Sequence, residues 1–194
     1  MVMKRKGFTL IELLVAMAIL VVAFGLVTFL YTKAARIRRI VVVNSEVQQA
    51  LSQIVDTLTY GDKAHWGIMH AAGLSDITQY DTYIVLKKDA AGTDTMVVEM
   101  KSDGNITVNW GSGPITLNVG EKVAILTDTP YRSTFRYFDG MGNEIPQPIT
   151  SSANRNRVTF VKITLWAHST DPSFKFAEPA PFVTGVKLGN KTSF

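Results

Sequence analysis

Lys4-Arg5-Lys6-Gly7-Phe8-Thr9-Leu10-Ile11-Glu12 opens the chain, and an unbroken apolar run follows it to about Tyr31. Between Phe8 and Tyr31 the only charged residue is Glu12. At 1.5 Å rise per residue this stretch makes ~36 Å of helix, enough to cross a hydrocarbon core of ~30 Å. A carboxylate so near the start of such a segment is costly, because an ionisable group in a membrane helix must find a partner. Glu12 therefore calls for a partner.

Working outward, the apolar run gives way to a helical period: Ile37, Ile40 and Val41, then Val47, Ala50, Leu51, Ile54, Val55 and Leu58. Spacings of three and four make one apolar stripe, with Glu46, Gln48, Gln49 and Gln53 for the other side. No proline or glycine interrupts residues 26–60, so one helix is expected from about Phe8 to Thr59, ~78 Å long, with Gly61 as its stop. Its first half is apolar all round and its second half is one-sided, so the second half needs a surface to lie on.

That surface is written in a change of period. Residues 61–79 read as an irregular connection, and strands are expected at 82–87, 95–101, 105–110, 115–118, 122–127, 133–138, 158–167 and 182–187. Asp103-Gly104 marks a hairpin between the second and third of these. In 157–168 one face carries Thr159, Val161, Ile163, Leu165 and Ala167, the face expected to meet the helix. Pro172, Pro179 and Pro181 are read as a loop. The fold class is thus α+β, a long N-terminal helix packed by its second half on an antiparallel sheet.

The residues Gly7-Phe8-Thr9-Leu10-Ile11-Glu12 behind a short basic leader resemble the prepilin signature of type IV pilins and type II secretion pseudopilins. An ordinary secretory signal has no acid in its apolar region and is cut beyond that region. The resemblance implies a pilin-like fold and recognition of Lys4, Arg5 and Lys6 in the leader. It also implies cleavage between Gly7 and Phe8 by a prepilin peptidase, methylation of the Phe8 amine, and a role for Glu12 in assembly opposite a neighbour's amine. The implied partners are other pilins or pseudopilins, the peptidase, an inner-membrane platform with a cytoplasmic ATPase, and membrane lipid. The implied division is a leader at 1–7, a transmembrane segment at 8–31, an amphipathic helix half at 32–60 and a β-rich domain at 61–194, in the periplasm or outside the cell. Basic residues flank the apolar run on both sides, so the orientation rests on the resemblance and not on charge.

Phe135-Arg136-Tyr137-Phe138-Asp139-Gly140, the strand near 158–165 and the closing 183–190 are similar to the minor pseudopilin J class and to PilW-like minor pilins. Phe29 stands where major pilins commonly carry a helix-kinking proline, which fits a minor subunit.

The 194 residues, less leader and helix, leave about 135 for one ordinary domain. Cysteine is absent, so no disulfide or thiolate site exists, and the domain is held by packing. The net charge of +4 includes the leader; without it 17 basic side chains face 16 acidic ones, and the basic precursor is no argument for nucleic acid. His65, His70 and His168 show no metal-ligand spacing, and no phosphate loop, nucleophile elbow or dinucleotide fingerprint occurs. Neither an enzyme nor a cofactor is expected. Asp139, Asn143 and Glu144 are a weak calcium candidate, and a hairpin turn is the preferred reading of that stretch. Lys33, Arg36, Arg38 and Arg39 are assigned to anionic headgroups ahead of nucleic acid. Trp66, Trp110 and Trp166 are read as core or edge aromatics. The expected function is that of a structural subunit, a minor pilin or pseudopilin. The alternative is an anchored binding module for DNA uptake, adhesion or substrate recognition, presenting loops at 151–156 or 170–181.

Overall fold

The computed structural model describes residues 9–89, 91–117, 123–170 and 179–189. Helix α1 runs without a break over Leu10–Tyr60. By contacts the chain divides after Val42. Up to that point α1 stands as helix alone; from Val43 on, its remaining turns share a core with two antiparallel sheets.

The buried stripe of α1 is Val43, Val47, Leu51, Ile54, Val55 and Leu58. Ile37, Ile40 and Val41 keep the same period yet are exposed at 60%, 36% and 62%, so the expectation that they join the stripe is corrected. Sequence period shows only that residues share a face; the cover begins at Val43. The helix stops as expected at Gly61, whose φ of +85° suits glycine and whose N–H still reaches Thr57 O at 2.9 Å.

The first sheet is a meander in the order β1 (Gly73–Leu74), β2 (Tyr83–Lys87), β3 (Thr95–Met100), β4 (Ile106–Asn109) and β5 (Pro114–Leu117). Its register sets Ile84 opposite Val98 and Val98 opposite Val108, and all three are fully buried. Period-2 alternation puts Leu86, Met96, Met100 and Ile106 on that same core face.

The second sheet is ordered β10 (Ala180–Lys187), β9 (Phe160–Ser169), β7 (Thr134–Phe138) and β8 (Glu144–Ile145). Strand β6 (Val123–Leu126) pairs with the far end of β9, beyond β7. Val161, Ile163, Leu165 and Ala167 are fully buried in the cluster that holds the α1 stripe, as the alternation of β9 requires. Pro181 lies within β10, not in a loop. The strand is at a sheet edge, where a missing N–H is tolerated. Opposite it on β9, the Phe160 ring fills the space a side chain at Gly185 would need. Residues 151–156, expected as a loop, are largely helix: α2 spans Ser152–Arg157 behind a Ser151 hydroxyl that accepts from Asn154 N at 3.2 Å.

The sheets are tied together by the segment leading into β2. Gln79 is wholly buried, and its side-chain amide donates to Ile77 O at 2.6 Å while its oxygen accepts from Val85 N at 2.6 Å. Its backbone exchanges two bonds with Ile149, on the approach to α2. Two residues on, Asp81 O accepts from Phe135 N of β7 at 2.6 Å, and Tyr80 O accepts from the Tyr137 hydroxyl at 3.1 Å.

In a soluble fragment beginning near Arg36, Gln79→Leu strands the Val85 N–H and is expected to cost about 2–3 kcal/mol, measured by urea denaturation. Val55→Asp buries an unpaired charge and is expected to leave the fragment unfolded by circular dichroism; an unchanged melting curve would remove the stripe from the core.

Candidate functional site

Thr9 is the residue before the first turn of α1, and Glu12 is the third residue within it. Glu12 Oε2 accepts from Thr9 N at 2.9 Å and from Thr9 Oγ1 at 3.0 Å, while Glu12 N points back to Thr9 Oγ1 at 3.4 Å. This is a capping box, two side chains satisfying each other's backbone donors at a helix start. Leu13 N reaches Thr9 O at 3.2 Å, closing the first turn. The Thr-x-x-Glu spacing was there to be read in residues 9–12 and gives Glu12 a partner on its own chain. A carboxylate offers about four lone-pair directions, and the box engages one oxygen, so Glu12 retains capacity for a cation from elsewhere.

The cleavage candidates Gly7 and Phe8 and the leader residues Lys4, Arg5 and Lys6 lie outside the described residues. Beyond Glu12 the side chains of Leu13, Leu14, Met17, Leu20 and Val21 are all more than half exposed. The polar groups among them turn inward on the helix: Thr28 Oγ1 donates to Phe24 O and Thr32 Oγ1 to Phe29 O, each at 2.8 Å. The segment is long and apolar enough to cross a membrane. Lys33, Arg36, Arg38 and Arg39 follow it on the same helix, all exposed, with Lys33 Nζ 5.4 Å from the centre of the Phe29 ring.

Residues 139–143 form the turn of the β7–β8 hairpin, and Glu144 opens β8. Asp139 accepts from Met141 N and Asn143 N at 2.9 Å, from Asn143 Nδ2 at 3.2 Å and from Arg157 at 2.9 Å. The Asn143 bonds lead in holding its pKa down to about 2. Glu144 turns away to Arg136, 2.9 Å distant. Asp139, Asn143 and Glu144 therefore do not converge on one point, and among the described residues no three His, Asp or Glu side chains do. His65 pairs with Asp62 at 3.0 Å and stacks on Trp110 at 4.3 Å, and Trp110 Nε1 donates to Trp66 O at 2.9 Å. Both tryptophans pack against the core, and Trp166 leans on Tyr131 at a sheet surface. Of the two loops named for a binding role, 151–156 lies mostly in α2, and most of 170–181 is outside the described residues.

Because the folded-state pKa of Asp139 lies below its unfolded value, its contribution to stability is present above the ordinary carboxylate range and is lost as pH falls toward about 2. Asp139→Asn is thus expected to be less stable than wild type at neutral pH. The difference should shrink progressively on acidification, as measured by paired denaturation curves across pH.

A family model described as the prokaryotic N-terminal methylation motif matches residues 2–28, the interval that holds the basic leader, the Gly7–Phe8 bond and the Thr9–Glu12 cap. Comparison with curated proteins and with solved structures gave no significant match. The chain carries a prepilin-type N-terminal signature on a long apolar helix, and that signature supports a pilin-type or pseudopilin-type protein processed by prepilin peptidase.

Proposed function

We propose that the chain is a minor pilin or minor pseudopilin, a structural subunit of a type IV pilus or a type II secretion pseudopilus. The observation that carries this reading is the methylation motif placed on a helix that begins with a capped carboxylate and ends in a β-domain. In this reading the peptidase cuts between Gly7 and Phe8 and methylates the Phe8 amine. The apolar turns reside in the inner membrane, with the domain from Val43 on in the periplasm or outside the cell. An inner-membrane platform driven by a cytoplasmic ATPase then draws the subunit into a filament.

The physical step is an exchange of surroundings. Leu10, Leu13, Leu14, Met17, Leu20 and Val21 leave lipid for the helices of neighbouring subunits, where close packing replaces contact with acyl chains. Glu12 meets a neighbour's N-terminal amine, two opposite charges in a low-dielectric setting where either alone is expensive. The capping box prepares this step, because the carboxylate is already held at a fixed place relative to the chain start.

Co-expression with a prepilin peptidase is expected to shorten the chain by residues 1–7, read by intact-mass spectrometry, and a bulky residue at Gly7 is expected to block the cut. An intact leader beside active peptidase would overturn the proposal. Glu12→Leu is expected to insert and be cleaved normally, yet to lose crosslinks to partner subunits and to reduce secretion or piliation at least tenfold, the scale set by losing one partner of a buried charge pair. Wild-type crosslinking by that variant would take assembly away from Glu12.

A further inference from the structure

Four cations stand within seven residues of α1 immediately after the apolar segment, and the proposed assembly does not use them. Lys33, Arg36, Arg38 and Arg39 are exposed, and none takes part in an ion pair among the described residues. The sequence offers them no acid nearby: between Glu12 and Glu46 there is no Asp or Glu.

Because α1 is unbroken here, their directions are fixed. At 3.6 residues per turn, Arg38, Arg39 and Arg36 point about 140°, 240° and 300° round the axis from Lys33. Cations thus occupy most of the circumference, and the remaining sector carries Ala34, Ile37 and Val41. No single flat partner, protein or duplex, can touch all four at once; a layer that surrounds the helix can. Along the axis they occupy ~9 Å, comparable to the headgroup zone of roughly 5–8 Å on each side of a bilayer. The helix from Leu10 to Thr32 covers ~34 Å, so a span with its first turn at one hydrocarbon boundary brings Lys33 to the other. Ile37, Ile40, Val41 and Val42 are exposed among and just beyond the cations, the mixture of apolar and basic side chains that settles in an interface.

We propose that Lys33, Arg36, Arg38 and Arg39 form a collar for anionic lipid headgroups that fixes the depth of the helix and holds the unassembled subunit in the bilayer against extraction. The partner is a phospholipid with a net negative headgroup; the proposal rests on the membrane-spanning reading above. A cation beside an anionic surface gains roughly fivefold in partition, so the four together resist withdrawal far more in an anionic leaflet than in a zwitterionic one. Withdrawal into a filament must strip these headgroups away.

The chain has no cysteine, so Val41→Cys provides a unique position for an environment-sensitive probe. The full chain would be reconstituted in phosphatidylcholine vesicles with and without phosphatidylglycerol, and quenching of the probe by headgroup-labelled lipid measured. Phosphatidylglycerol is expected to raise quenching at least threefold. High salt, or replacing Lys33, Arg36, Arg38 and Arg39 together by Gln, should abolish the rise while leaving the thermal melt of the domain unchanged. Equal quenching in both vesicles, or a rise that survives the fourfold replacement, would overturn the collar. So would loss of crosslinks to a partner subunit in the replaced protein without lipid selectivity, which would assign the cations to protein. Carbonate-resistant insertion into the neutral vesicles tests the span separately, since it does not depend on the collar; its failure would remove both readings.

Discussion

Every N–H and C=O inside an α-helix is bonded within the helix itself, and this self-sufficiency is the condition on which the molecule depends. It lets one element, Leu10–Tyr60, carry a surface that is apolar on every side through Thr32 and one that is buried on a single stripe from Val43. A strand could not do this, because its backbone must be paired by a neighbour. The side chains extend the same economy: Thr28 and Thr32 bond back to their own turns, and Thr9 and Glu12 close the helix start, where four N–H groups would otherwise lack partners.

The domain has the opposite problem, since strands have edges and there is no disulfide to hold sheets together. Packing supplies one continuous core, from the α1 stripe through Ile84 and Val98 to Ile163 and Leu165. Directional bonds then fix how the parts meet. Gln79 links the start of β2 to the segment before α2, Asp81 and Tyr80 bond to β7, and Asp139 pins the β7–β8 turn to Arg157 at the end of α2. Each joins places far apart in sequence, and each uses a donor or acceptor that would be costly to leave unmet.

This division explains what could be read from the sequence. The helix limits of 8–59 lie close to Leu10–Tyr60, because an uninterrupted apolar run and a glycine in the left-handed region are local signals. The β9 alternation and the Asp103-Gly104 hairpin were legible for the same reason. The two-residue strands β1 and β8 are too short to show a period, and α2 lacks an apolar stripe, so none of them was anticipated. Gln79 has no local signature at all, since its partners Val85 and Ile149 are defined only once the sheets form. At the candidate site, Glu12 stood out by its charge alone, whereas its cap required reading the Thr-x-x-Glu spacing as well. The edge of the core could not be read, because Ile37 and Val41 have the same period as Leu51 and Leu58 and differ only in what covers them.

The closeness of Thr9 and Glu12 to the Gly7–Phe8 bond has an electrical consequence. Before the proposed cut, this end of the chain holds Lys4, Arg5 and Lys6 against one carboxylate. After it, in the proposed reading, the charges of one amine at Phe8 and one carboxylate at Glu12 balance, and that end of the apolar segment has no net charge. The far end of the apolar segment, midway along α1, keeps its four cations. An apolar segment that is neutral at one end and strongly positive at the other has a built-in direction of travel: the neutral end can follow through hydrocarbon, whereas the charged end must already be on the side to which the segment is moving. Trimming the leader would thus make movement one-way, set by which end of the apolar segment can still be dissolved in oil.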